Sequence, residues 1–94
     1  MKTIEQMKKE VQKEGYPLAE YYRDRAGKFH DKHTHETEAK IVVRSGFMNL
    51  TIYADTRPKK VVQLTTGMNY IIPRGVLHEA KMGPKGCSYI HAEK

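Results

Sequence analysis

Cysteine is nearly absent from this chain. Cys87 stands alone among 94 residues, so no internal disulfide framework holds the fold. Long apolar runs are missing too: stretches such as Ile41-Val42-Val43 are far too short to cross a bilayer. The first fifteen residues, MKTIEQMKKEVQKEG, are charged throughout and lack the apolar centre of a secretory signal. The sequence shows no internal repeat and no low-complexity segment. These absences together lead to the expectation of a cytoplasmic protein in a reducing compartment, without a membrane partner.

Ninety-four residues make one domain with one modest core. The composition is 38% hydrophobic and 30% charged, ordinary for a globular chain and too apolar for disorder. The formal net charge of +6 and the pI near 9.5 raise the question of nucleic acid. Lysines 8, 9, 13, 40, 59, 60, 81 and 85 are scattered, however, and form no dense basic run interleaved with aromatics. The reading is a solvated basic surface, with no nucleic-acid partner.

Residues 3–14 are predicted to form a short helix. Thr3 is placed to cap it and Gln6 completes a capping box; Ile4, Met7 and Val11 form a narrow apolar stripe, and Gly15 ends it. The expected place for this helix is the outside of a sheet. From Tyr16-Pro17 onward the hydrophobic period is two. Candidate strands lie at 19–25, 38–45, 47–54, 60–65, 69–73, 77–82 and 87–92. They are separated by turn signals at Gly27, Ser45-Gly46, Asp55 to Pro58, Thr66-Gly67, Pro73-Arg74-Gly75 and Gly83-Pro84-Lys85-Gly86. Short strands at regular spacing predict an all-β antiparallel barrel or sandwich over 19–92.

Parity assigns the faces. Lys40 and Arg44 point to water, so Ala39, Ile41 and Val43 point inward. By the same logic Met48, Leu50, Ile52 and Ala54 face the core, as do His78, Ala80 and Met82. An interior histidine calls for a partner, because its ring nitrogens must be satisfied.

Three of the five histidines fall in KFHDKHTHETEAK, residues 28–40. On a helix, His33 and His35 point roughly 200° apart; on an extended backbone they share a face, and parity makes that the interior face. His30 has the opposite parity and is assigned to a loop. The facing of His91 is ambiguous. Two imidazoles therefore join His78 inside the barrel, where a divalent ion about 2.0–2.2 Å from each satisfies one nitrogen per ring. Separate hydrogen bonds to each ring are the alternative. Cys87 reads as a small buried residue, and Glu79 as a solvated one.

The spacing of these residues resembles the cupin superfamily in two places. Gly27, His33, His35 and Gly46 match a first motif that has a glutamate between its second histidine and final glycine. Gly67, Pro73, Gly75 and His78, in GMNYIIPRGVLHEAKM, match a second motif that closes on an asparagine. Both departures from the pattern are visible: Ala39 stands at the glutamate position and Met82 at the asparagine position. Glu38 and Glu36 lie nearby, but their parity points them outward.

The resemblance implies a small jelly-roll barrel holding one divalent metal ion (iron, manganese, nickel or zinc) through His33, His35 and His78. It also implies a homodimer. A metal-dependent enzyme acting on a small oxygen-rich molecule, a dioxygenase among the options, is the first functional expectation. A non-catalytic module that binds a small-molecule ligand or metal is the second.

Overall fold

The computed structural model describes residues 2–55 and 57–94. Among the described residues there are one helix and six strands: α1 (Ile4–Lys13), β1 (Leu18–Asp24), β2 (Phe29–His33), β3 (Ala39–Ala54), β4 (Arg57–Thr65), β5 (Asn69–Ile72) and β6 (His78–Glu93). The turn expected over 55–58 includes Thr56, which lies outside the described residues.

The helix starts where its cap allows. Gln6 donates its backbone N–H to the Thr3 hydroxyl, and Thr3 donates its own to the Gln6 side chain. Two of the four donors left over by the first turn are thereby satisfied. Gly15, at φ 104°, then turns the chain back, and the buried Met7 and Val11 press onto the sheet.

All strand pairs are antiparallel, in an all-β jelly-roll built around the long β3–β6 ribbon. β1 and β2 flank β6 on one side, and β4 and β5 flank β3 on the other. Each ribbon is interrupted at the same level. The β1–β2 break contains Gly27, β3 bulges around Gly46, β6 bows out through Gly83 to Gly86, and the β4–β5 turn contains Gly67. Gly27, Gly46, Gly67 and Gly86 all have positive φ, so this crease uses backbone that residues with side chains rarely adopt. A side chain on Gly46 would also run into the Gly86 carbonyl of the neighbouring strand.

Crossing the crease switches the inward parity. On β3 the buried residues are Ala39, Ile41 and Val43 before it, and Met48, Leu50 and Ile52 after it. On β6 they are His78, Ala80 and Met82, then Cys87 and Tyr89. A bulge of this kind re-aims side chains without ending the pairing. Strands expected at 38–45 and 47–54 are therefore one strand, as are those at 77–82 and 87–92. The Gly83-Pro84-Lys85-Gly86 signal marks not a strand end but an excursion within β6, between the pairs Met48–Met82 and Gly46–Cys87.

Two further expectations change. Ala54 is exposed, because the β3–β4 register shifts between Ile52 and Tyr53. β2 was not expected as a strand, having few apolar residues to reveal its period. The helix covers the outer face of the sheet, where Met7, Val11, Tyr16, Ala19, Ile90 and Ala92 form a second apolar cluster.

Candidate metal centre

His78 is the first residue of β6 and is only 2% exposed. The Pro73–Gly75 turn delivers it there: Val76 donates to the Pro73 carbonyl at 3.3 Å, and Gly75 sits at φ 77°. The same turn holds the other histidine segment, since the Gly75 N–H donates to the His35 carbonyl at 3.0 Å. His33 pairs directly with His78 across β2 and β6. The expected extended run from 33 through 39 is not continuous, because residues 34–38 leave the sheet. His35 reaches the interior from this loop, pinned by Gly75, rather than by strand alternation.

The three rings meet. Their centroids are 5.0 Å apart for His33–His35, 4.3 Å for His33–His78 and 5.1 Å for His35–His78. One ring nitrogen from each lies within 4.8 Å of those of the other two. Nitrogens bound side by side on a divalent ion stand about 3 Å apart, so small ring rotations suffice to bring them onto one ion.

Hydrogen bonding decides which nitrogen is free. His33 Nδ1 is 2.7 Å from the Asp31 carbonyl, and His78 Nδ1 is 2.9 Å from the Val76 carbonyl. A carbonyl only accepts, so Nδ1 carries the proton in both rings and Nε2 keeps its lone pair. His35 Nδ1 faces Glu93 Oε1 at 3.5 Å, while its Nε2 is buried with no partner among the described residues. Outer partners of this kind orient metal-ligating imidazoles. Burial pulls His35 and His78 below the ordinary histidine pKa, His78 to about 4. Those two rings are therefore neutral at pH 7, the form that ligates a metal. The donor set fits a divalent ion.

Neither Glu36 nor Glu38 takes the place that Ala39 leaves. Glu38 is on the outside, accepting from the Tyr16 hydroxyl at 2.5 Å and ion-paired with Lys94 at 3.2 Å. Glu36 is exposed. Met82 is buried in the apolar core. Glu79 points outward as expected, accepting from Tyr53 with Lys32 at 4.0 Å. Cys87 is buried, and burial pushes its thiol up to about 11, so it is no nucleophile.

Three features of the site escaped the sequence reading. His30 is not in a loop but on β2, paired with the inward-facing Ala80; the register shift between His30 and His33 puts both on one face despite their odd spacing. Its Nε2 lies 2.7 Å from Asp24 Oδ2, which also accepts from the Tyr89 hydroxyl at 2.7 Å. His91 faces inward from β6, 4.9 Å from the His35 ring. Glu93, opposite Ala39 on the neighbouring strand, supplies the carboxylate beside His35. The only available signal was the alternation Cys87, Tyr89, His91, Glu93, which places all four on one face.

All five histidines line one cavity of about 230 Å³, floored by Ile41, Met48, Leu50 and Met82. A larger cleft of about 420 Å³ lies beneath α1. Four of its charged residues pair with each other, as Lys2–Glu10 and Lys40–Glu14. The convergent, unpaired nitrogens are in the smaller cavity.

No protein-family model matches the sequence, and no curated protein is significantly similar to it. Solved structures do match. A cupin-2 domain protein from Shewanella frigidimarina is 21% identical with a TM-score of 0.66, over 80% of this chain and 67% of that one. A variant of Bacillus subtilis oxalate decarboxylase is 16% identical with a TM-score of 0.74, over 81% of this chain and 20% of that one. The CENP-C cupin domain of Drosophila melanogaster is 18% identical with a TM-score of 0.70, over 82% of this chain and 60% of that one. The chain thus spans about two thirds or less of each. At these identities the likeness shows the fold and no more.

Proposed function

Starting from a chain with the cupin fold, we propose that it is a metal-binding protein. One divalent ion is held by His33, His35 and His78, and the protein acts on or binds a small oxygen-rich molecule there. The single observation that carries this reading is the buried His35 Nε2 with no partner among the described residues, beside two imidazoles whose Nδ1 atoms are already engaged. A buried nitrogen left unpaired destabilises the fold, and an ion shared by three rings removes that cost.

When bound, the ion supplies Lewis-acid polarisation of an oxygen ligand. The protein's own contribution is positional. Asp31 and Val76 set the tautomers of His33 and His78, Glu93 stands beside His35, the Pro73–Gly75 turn fixes the distance between the two motifs, and the apolar floor excludes water. A likeness to oxalate decarboxylase adds support for manganese among the metals, since one matching structure concerns the Mn(II) centres of that protein. A dioxygenase is the enzymatic form of this reading.

A second reading, a non-catalytic ligand-binding or sensory module, is favoured by one specific feature: no carboxylate occupies the position of Ala39, and Glu36 and Glu38 do not reach the site. Elemental analysis of purified protein, followed by oxygen uptake on a panel of diketones and phenols, separates the two. Turnover by the iron-loaded protein establishes the oxygenase; a fully loaded, inert site establishes the module. Absence of any bound or bindable metal overturns the three-histidine centre and the oxygenase with it. Pairing of two copies belongs to the same proposal. β4 forms a sheet edge with Val61 exposed, a route for association, and sedimentation measures it.

A further inference from the structure

Four of the five cavity histidines are accounted for. Three belong to the converging set, and His30 is held by Asp24. His91 is the fifth. It pairs with Ile41 on β3, and strand alternation aims it into the cavity. Its ring stands 4.9 Å from that of His35 and 6.4 Å from that of Tyr22. Among the described residues neither of its nitrogens has a hydrogen-bond partner, and its nitrogens do not belong to the set that meets within 4.8 Å.

A polar ring pointed into a cavity without a protein partner keeps its hydrogen-bonding capacity for what enters. The charges nearby indicate what that is. Asp24, the carboxylate on the His30 side, is already occupied by His30 and Tyr89, and Glu93 is turned to His35. A divalent ion on three neutral imidazoles would thus keep its positive charge, with no protein carboxylate bound to it. A small carboxylate matches both features, with one oxygen for the ion and another to accept an N–H.

We propose that His91 is a ligand-contacting residue of this centre, donating a hydrogen bond to the oxygen of a small carboxylate bound at the ion. The inference rests on the three-histidine reading above and goes beyond it by separating His91 from the ligands of the metal.

The test uses the full chain loaded with Co(II), whose visible absorption reports both metal binding and the arrival of acetate as probe. Wild type is compared with His91→Ala and with His91→Gln, which keeps an N–H donor. Cobalt affinity is expected to stay within about threefold in both variants. Acetate affinity is expected to fall roughly tenfold in His91→Ala, equivalent to about 1.4 kcal/mol, and to recover most of that loss in His91→Gln. An acetate loss of less than about fivefold in His91→Ala overturns the proposal. So does a parallel loss of cobalt affinity, which would make His91 a metal ligand. Should wild type itself take up no cobalt, the three-histidine reading falls first, and that titration alone identifies the failure.

Discussion

Between Cys87 and Glu93 the two faces of β6 do opposite work. Outward, Ile90 and Ala92 are completely buried beneath α1, beside Met7, Val11 and Ala19. Inward, Tyr89 and His91 bring a phenol and an imidazole to a cavity wall, and Glu93 sets a carboxylate beside His35. The strand therefore uses alternate residues for dry packing and for chemistry. A domain of this size has only about 5–15 kcal/mol of net stability, and polar groups on its inner face reduce what the interior contributes. The helix recovers apolar burial on the other side of the same sheet, which is why a short N-terminal element matters to a site it never touches.

Independence of the two faces is the claim to break first. Ile90→Ala should lower stability by about 2–5 kcal/mol and the melting temperature by roughly 8 °C or more. Metal affinity of the folded protein should hold within about twofold. Calorimetry paired with metal titration checks this; a matched loss of affinity would show that the faces are coupled.

His78→Ala is the mirror experiment. Metal affinity should fall at least about a hundredfold, near 2.7 kcal/mol, while the metal-free protein keeps its β-sheet circular dichroism. The fold should survive because the ring leaves behind one hydrogen bond, that to Val76, and the surrounding apolar cluster is intact. Unchanged metal content in this variant removes His78 from the site.

Glu93→Gln sharpens the comparison within the inner face. The carboxylate acts on His35 from 3.5 Å, as an orienting group and not a ligand. Loss of its charge should weaken metal binding about tenfold with little change in melting. A loss as large as that of His78→Ala would instead place Glu93 on the ion.

Much of this was legible in residue order, for physical reasons. Where charged and apolar residues alternate cleanly, as in Ala39–Val43 and His78–Met82, the inward face could be read directly. The motif spacing points to His33, His35 and His78 as one candidate site, and the structure brings a ring nitrogen of each within 4.8 Å of the others. What stayed hidden depends on breaks in period. The register shift between His30 and His33 reversed the apparent facing of His30. His91 is followed by few residues, so its strand offered too short a pattern to phase. The crease joined strands that turn signals had separated, because glycines at positive φ permit a bulge as readily as a turn.

The smallest expected effect concerns the wall across from the triad. Burial alone would raise the Asp24 pKa, but hydrogen bonds from His30 and Tyr89 outweigh it and hold the carboxyl below its ordinary 3.8. A carboxyl whose folded pKa is depressed adds stability that is complete above its unfolded value and disappears as pH falls through the lower folded value. Wild-type melting temperature should therefore drop between about pH 5 and the acid limit by slightly more than that of Asp24→Asn, which has no proton to take up. Thermal melts of the metal-free proteins across this range measure the difference. Parallel curves would mean that Asp24 gains nothing from its two partners, and that the His30 side of the cavity is held by packing alone.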